Sequence, residues 1–360
     1  MIYSILLAIL LVALVLLLAW QLLRWLPAGA DGLKPLPYVI ALLPIAPFCA
    51  GFGLIASAVA AVATRSQNEF YKSYVFLCIA YFVLFVISLK SYSPYFAKRL
   101  MRIKQEKSQT RSQEKSLEIR VMTLNCRYGH ANASQIIKIA KTHKIDTILL
   151  QEVSKKLVKN LEKLGIKRDF AHVQLGNAND HENGGFNAIY TRLSNVKSFG
   201  KSIKIDAANV PIVTAVACDS SLAAGDSSAK NLLITFASAH PKSPMRGCAA
   251  WCSGIMALAK IGENHNKSGC KKVTIIGGDL NSTPDHPSFR TLLKSGFLDA
   301  SMQIGKRLKT WPTWQKWPNL ALDHVLVKST GCSAKATEQS TIRVDGSDHF
   351  ALIVCVSILL

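Results

Sequence analysis

The chain reads Gly277-Gly-Asp-Leu-Asn281 and, about seventy residues later, Gly346-Ser-Asp-His349. Each group lies beside a strand-forming run, Val273–Ile276 in the first case and Thr341–Val344 in the second. Carboxylate and amide oxygens are the ligands a hard divalent cation takes, and an imidazole can hold or protonate a phosphate oxygen. A phosphodiester repels hydroxide with its own charge. Its hydrolysis therefore needs a cation on the nonbridging oxygens, a base for the water and a proton source for the leaving oxygen. Asp279, Asn281, Asp348 and His349 supply those types. So do Asn125 after Val-Met-Thr-Leu, Glu152 after Leu-Leu-Gln, His240 after Phe236–Ala239, and Asp323 at the head of Asp-His-Val-Leu-Val. Taken singly, a strand-end Asn or Asp is usually a turn or cap residue, and His240 before Pro241 is usually structural. Together they predict a metal-dependent phosphoesterase. No Cys/His cluster has zinc spacing, which argues against a structural zinc.

Periodicity gives the elements that must carry these side chains. Glu118–Leu124 alternates as a strand ending at Asn125, and Thr147–Leu150 is a short buried strand ending at Gln151-Glu152. Ser134–Lys144 and Val153–Leu164, the latter closed by Gly165, have helical spacing. Further strands fall at Phe170–Gln174, Asn187–Thr191, Ser198–Ile205, Ile212–Cys218 and Leu232–Ala237. The last ones are Val273–Ile276, Leu322–Val327, Thr341–Val344 and Phe350–Val356, with helices at about Arg246–Asn264 and Ser288–Ser295. Many strands with few helices predict an α/β sandwich of largely antiparallel strands rather than a doubly wound parallel sheet.

Ahead of this region lies different material. Residues 1–89 are mostly apolar, and three runs, about 2–23, 37–64 and 73–89, qualify as membrane spans. Pro44, Pro47, Gly51 and Gly53 are placed to bend or loosen the second, and the third is near the short limit. A cleaved signal peptide fits the first poorly, because Met1-Ile-Tyr-Ser4 carries no positive charge and the apolar run is long. Residues 90–116 read as a basic linker and 117–360 as the globular domain. Lys and Arg are in clear excess after the third span. The positive-inside rule then sets the chain in the inner (cytoplasmic) membrane, with the domain on the cytoplasmic face. Seven of the nine Cys follow Leu89, scattered and without a paired framework, which agrees with a reducing compartment. The net charge of +21 suits nucleic acid or anionic lipid head groups, and does not choose between them. Lys155, Lys156, Lys159 and Lys163 lie on the outer face of a predicted helix and read as solvated surface.

An ordered set of motifs runs along the domain: Leu124-Asn125, Gln151-Glu152, Asn187 to Arg192, His240-Pro241, Gly278-Asp279-Leu280-Asn281, Leu322-Asp323-His324 and Ser347-Asp348-His349. It resembles the deoxyribonuclease-I-like endonuclease/exonuclease/phosphatase superfamily over about Glu118 to Val356. Thr310-Trp-Pro312 and the apolar N-terminal region are similar to a membrane-anchored bacterial branch. The resemblance implies a four-layered α/β sandwich, two mostly antiparallel sheets flanked by helices, preceded here by about three transmembrane helices. It implies Mg²⁺ or Mn²⁺ on Glu152, with Asn125 and Asp348 completing or tuning that site. Asp279 would orient or deprotonate the attacking water, and Asn281 would donate to the phosphate. His349 would bind and protonate phosphate oxygens or act in general acid/base transfer, with Asp323 fixing its tautomer and favouring its charged form, and His240 would be the second catalytic or phosphate-contacting His. Arg127 stands where many abasic-site members carry an acidic residue. Trp311, Trp314 and Trp317 suit stacking on bases, a lipid interface, or packing within a Pro-containing loop.

The leading expectation is a membrane-anchored, Mg²⁺-dependent phosphodiesterase acting on nucleic acid. Its partners would be the lipid bilayer and the phosphoester substrate, with no protein partner. A phospholipid or sphingomyelin-type phosphodiesterase or phosphatase is the alternative within the enzyme class. A non-catalytic membrane scaffold that retains the fold is the alternative of another class.

Overall fold

The computed structural model describes residues 1–96, 99, 116–177, 185–198, 203, 205–217, 232–262, 271–317 and 319–359. Most of the expected linker, 90–116, lies outside the described residues. The chain divides into two compact units: Met1–Pro94 with Pro284–Pro287, and Tyr95–Thr283 with Ser288–Leu360.

In the first unit, three segments are long and apolar enough to cross a membrane: Ile2–Trp25, Leu36–Ala63 and Asn68–Ser91. The second is interrupted at its prolines. Pro44 sits in a tight turn at Leu43–Ile45, and Pro47 in the first turn of the helix Ala46–Ala63, where its missing N–H has no intrahelical partner to lose. Gly53 does not loosen that helix. A Cβ there would lie 2.2 Å from the Tyr81 ring, so the glycine is what lets two helices close on each other. The third helix begins at Asn68 rather than Ser73, with Glu69 in its first turn, where a negative charge meets the positive end of the helix dipole. Tyr74 and Tyr81, two turns apart on one face, donate to the carbonyls of Tyr3 (2.7 Å) and Leu10 (2.8 Å) on the first helix. A buried charge pair lies in this unit: Arg24 and Asp285 form an ion pair at 3.0 Å, and the Ser91 hydroxyl bonds to both. The His286 Nε2 lies 2.9 Å from the Pro37 carbonyl.

The second unit is built on two sheets. One has the order β11-β12-β1-β2-β4-β3. Its strands are β1 (Ser116–Asn125), β2 (Thr147–Val153), β3 (His172–Leu175), β4 (Phe186–Thr191), β11 (Ser333–Arg343) and β12 (Phe350–Leu359). The other has the order β5-β6-β7-β8-β10-β9. It contains β5 (Val196–Ser198), β6 (Ile212–Ala217), β7 (Leu232–Ser238), β8 (Lys271–Asp279), β9 (Leu298–Asp299) and β10 (Asp323–Thr330). Among the described pairings, β1 with β2 and β7 with β8 are parallel and the rest antiparallel.

Side chains alternate across each strand, and this sorts the apolar residues into layers. On β1, Ile119 and Val121 join Leu149, Phe236, Val273, Ile275 and Val354 in the core between the sheets. Met122 and Leu124 face the other way and pack with Ile136, Ile137, Leu157 and Leu161 of the helices Ala133–Thr142 and Lys155–Lys163. A third cluster, around Trp251, Ile255, Phe289 and Leu292, covers the outer face of the second sheet. Helix, sheet, sheet, helix is the four-layered sandwich the sequence led us to expect.

Four elements differ from expectation. β11 starts at Ser333 rather than Thr341, because it is a sheet edge whose outward positions Lys335 and Glu338 are polar and whose inward ones, Ala334 and Ala336, are small. β3 starts at His172 because the chain turns through left-handed Gly165 (φ 82°) into a short helix at Ile166–Asp169. The helix expected over Arg246–Asn264 spans Cys248–Ala257, with a tight turn to Lys260, and residues 263–270 lie outside the described set. Of the strand expected at Ser198–Ile205, the described residues show the end of β5 and a bridge between Ile203 and Val210.

Candidate active site

Two features of the sheets gather distant residues at one edge. Parallel β1 and β2 end together, pairing Asn125 with Gln151, and parallel β7 and β8 end together, pairing Ser238 with Gly277. β10 runs back along β8, so that its first residue, Asp323, faces Asp279 in register. Close approach at this edge needs glycine: a Cβ on Gly277 would lie 2.5 Å from the Leu149 side chain, and one on Gly278 1.8 Å from the Ala239 carbonyl oxygen. A polar link also crosses between the sheets, with Gln151 Nε2 donating to Ser238 Oγ at 2.9 Å and Thr123 Oγ1 to Gln151 Oε1 at 3.2 Å.

Glu152 is aimed by irregularity. It lies in a register shift between Leu150 and Val153 of β2, with φ at +50°, a left-handed conformation uncommon for a residue with a side chain. Gly185 makes room for this bulge, since a Cβ there would meet the Glu152 backbone at 2.7 Å. The Glu152 carboxylate accepts from the Tyr128 N–H (2.9 Å) and from Asn125 Nδ2 (3.2 Å). Asn125 Nδ2 also donates to Asp279 Oδ2 at 3.0 Å, while its Oδ1 accepts from the Arg127 N–H at 2.8 Å.

Asp279 is the hub. His240 Nε2 and His349 Nε2 each lie 3.5 Å from its Oδ2, and His240 Nε2 lies 3.8 Å from Glu152 Oε1. The other ring nitrogen of His349, Nδ1, donates to Asp323 Oδ2 at 2.8 Å. Asp279 Oδ1 accepts from the Asn281 N–H at 3.0 Å, which turns Asn281 into the left-handed region at φ +49°. Among the described residues, Asn281 Nδ2 and Asp323 Oδ1 are buried with no hydrogen-bond partner. A buried donor left unspent beside this cluster is what an incoming oxyanion would satisfy.

Electrostatics follow from that packing. Burial opposes charge on His349, but Asp323 and Asp279 outweigh it and push its pKa up to about 10. Burial likewise opposes charge on His240, and the hydrogen bond and charge of Asp279 carry its pKa upward. Burial alone would raise Asp279. The charge of His349 and the bond from His240 overcome it and hold the carboxyl well below the usual range. Burial pushes the Asp323 carboxyl up, against the pull of His349.

Asp279, Asp323 and His349 have ligand atoms within 4.8 Å of one another, the spacing of a metal trio. A His349 ring protonated at both nitrogens has no lone pair to offer, so the oxygen donors are the better fit for a hard cation. Glu152 and Asn125 provide them. A carboxylate has about four lone-pair sites, and Glu152 spends two on Tyr128 and Asn125. Asp348 is half-buried, and its Oδ2 accepts from Trp311 Nε1 at 3.3 Å. It adjoins Ser347, whose hydroxyl donates to the Asn125 carbonyl at 2.6 Å and accepts from the His349 N–H at 3.0 Å.

The structure therefore brings Asn125, Glu152, His240, Asp279, Asp323 and His349 into one bonded cluster, with Asn281 one turn from Asp279. Arg192 of the Asn187–Arg192 motif instead pairs with Asp146 at 2.8 Å, and Asn187 Nδ2 donates to the Asn209 carbonyl at 3.1 Å. Sequence reasoning named Thr310 and His324 within its motifs and gave neither a role. Thr310 Oγ1 accepts from the Leu322 and Asp323 N–H groups (2.9 and 3.1 Å), and His324 bonds to Asp299. Their partners lie 12 to 25 residues away, so no local spacing announces them.

The pattern of the Endonuclease/Exonuclease/phosphatase family matches residues 122–349. No curated protein matches the chain. Among solved structures, a D. rerio TDP2 humanized by 14 mutations aligns at 18% identity and a TM-score of 0.51, covering 66% of this chain and 98% of that one. D. rerio TDP2 complexed with single strand DNA product aligns at 18% identity and a TM-score of 0.50, with the same coverage. At that identity the likeness is one of fold. The family match spans well over half of the sequence and takes in every residue of the cluster, from Asn125 to His349, and the chain belongs to the Endonuclease/Exonuclease/phosphatase family.

Proposed function

We propose that the protein is a membrane-anchored, divalent-metal-dependent phosphodiesterase whose substrate is nucleic acid. The observation that carries the chemistry is the Asp279 Oδ2 atom, ringed by the Asn125 amide and the His240 and His349 imidazoles at 3.0–3.5 Å. A carboxylate kept ionised between two imidazole rings is suited to orient water, while the rings donate to the phosphate that the water attacks. His349 Nε2 and Asn281 Nδ2 are the donors to nonbridging oxygens. Asp323, bonded to His349 Nδ1, fixes the tautomer that presents Nε2. Glu152 and Asn125 would hold Mg²⁺ or Mn²⁺, with Asp348 tuning the site from beside His349. When bound, the cation supplies positive charge at the phosphate, which lowers its repulsion of the nucleophile. His240, the second donor at Asp279, is placed to protonate or restrain the leaving oxygen.

Nucleic acid is favoured by the cluster's paired imidazoles, and the net charge of +21 is compatible with it. The three apolar segments support a multi-pass anchor in the cytoplasmic membrane, and the basic residues after the third support a cytoplasmic face for the domain. Full-length protein in detergent, supplied with Mg²⁺, is to be assayed on single-stranded DNA, double-stranded DNA, RNA, sphingomyelin and phosphoinositides. The reading expects cleavage of a nucleic acid, lost on chelation. Lipid cleavage without nuclease activity would replace the substrate assignment.

A further inference from the structure

β10 carries two successive polar residues, and because strand side chains alternate, they face opposite ways. Asp323 turns to His349. His324 turns away, into a pocket where each ring nitrogen meets an acceptor: Nδ1 lies 2.7 Å from Asp299 Oδ2, and Nε2 3.0 Å from the Ser282 carbonyl. Neither acceptor can donate, so the ring satisfies both only by donating twice. The ring is buried, and Phe289 packs on it with centroids 4.6 Å apart. Asp299 is fixed in turn, its other oxygen accepting from the Met302 N–H at 3.0 Å as the cap of the helix Ala300–Ile304.

What it anchors is the residue after Asn281. Asn281 holds a left-handed backbone at φ +49°, which an asparagine keeps only where its surroundings over-determine it. Hydrogen bonds on both sides of it do so. The Leu280 N–H donates to the Leu322 carbonyl at 2.9 Å, the Asn281 N–H donates to Asp279 at 3.0 Å, and the Ser282 carbonyl accepts from His324. The first two act on the N-terminal side of Asn281; the third grips its C-terminal side, where the Ser282 hydroxyl also donates to the Leu280 carbonyl at 3.0 Å. The unspent Nδ2 of Asn281 is directed by that backbone.

We propose that His324, held by Asp299, is a positioning residue for Asn281: it locks Ser282 and so keeps the Asn281 amide aimed at the phosphate. The proposal rests on the phosphodiesterase reading of the site. His324 touches no reacting atom, and its effect passes through one side chain.

A double-mutant cycle tests this on the full-length, Mg²⁺-supplied protein. His324→Ala and Asn281→Ala are made singly and together, and hydrolysis of bis-p-nitrophenyl phosphate is read as kcat and KM. Inorganic phosphate affinity is measured separately by calorimetry. His324→Ala is expected to lower kcat at least tenfold with KM changed less than threefold, and to weaken phosphate binding. In the Asn281→Ala background the same substitution should cost less than threefold in both readouts. His324→Gln, which retains one donor, should recover part of the loss. Should His324→Ala fail to fold, Asp299→Asn and His324→Gln carry the same cycle. A folded His324→Ala protein with wild-type kcat and phosphate affinity overturns the proposal, as does a loss that is undiminished in the Asn281→Ala background. If the wild type hydrolyses no diester, the functional reading fails, and the phosphate-binding cycle still decides whether His324 acts through Asn281.

Discussion

At the scale of single residues, the account turns on charge held in place by charge. His349 keeps its proton far above the ordinary imidazole value of 6.5, up to about 10, because Asp323 and Asp279 together outweigh its burial. The group's folded value is raised, so its stabilising charge is complete below 6.5 and is lost as pH rises through about 10. Activity that needs the charged ring should show an alkaline limb near pH 10, and Asp323→Asn should move that limb toward neutrality in a kcat/KM profile. An unmoved limb would mean that another group sets it. The depressed Asp279 carboxyl sets no limb in the ordinary carboxylate range. Much of this was legible beforehand. Asn125, Glu152, Asp279 and His349 each follow or precede a run of β-branched and aliphatic residues, and a sheet edge is where such residues meet. The strain was not legible, because Glu152 takes φ +50° only through a register shift against β4. Nor was the spent carboxylate of Asp348, whose partner Trp311 lies 37 residues away.

At the scale of elements, close approach is carried by glycine and by buried pairs. Gly278→Ala would drive a methyl into the Ala239 carbonyl at 1.8 Å, and backbone cannot swing aside. It should cost about 3 kcal/mol, read as a fall of roughly 10 °C in Tm. Gly247→Ala, where the nearest atom is a Lys242 side-chain carbon at 3.5 Å, is the neutral control. In the apolar unit, Asp285→Ala leaves the Arg24 guanidinium buried without its carboxylate and should destabilise by about 3–5 kcal/mol. The double substitution Arg24→Leu with Asp285→Leu should recover most of that loss in a thermal melt in detergent, and no recovery would show that the pair is not the cause. Helix and strand positions were readable wherever a face is apolar, as for Ile136, Leu157 and Leu161. They were least readable at edges. β11 gained eight residues over its expected start because Ser333–Ser340 alternates small and polar groups, a pattern without hydrophobic contrast.

At the scale of the whole molecule, the two kinds of sequence material become two units, one with segments apolar enough to cross a membrane and one with the family's sandwich. Composition changes near Leu89, and the first unit runs to Pro94. Composition could not show that Pro284–Pro287 belongs with the apolar unit, where Asp285 pairs with Arg24 and His286 meets the Pro37 carbonyl. If Glu152 is the main cation ligand, Glu152→Gln should weaken Mn²⁺ binding at least tenfold by electron paramagnetic resonance titration, roughly 1.4 kcal/mol. Asp323→Asn should leave that affinity nearly unchanged, and the opposite ranking would move the cation to the Asp279–Asp323–His349 trio. The central claim is that one buried cluster around Asp279 hydrolyses phosphodiesters with a divalent cation. Its most direct test is turnover of bis-p-nitrophenyl phosphate by the purified full-length protein, wild type beside Asp279→Asn, with and without Mg²⁺. The account predicts Mg²⁺-dependent turnover by the wild type and a rate about 10³-fold lower in a variant that melts as a folded protein. Equal turnover by the two proteins, or none by the wild type with any divalent cation, would contradict it.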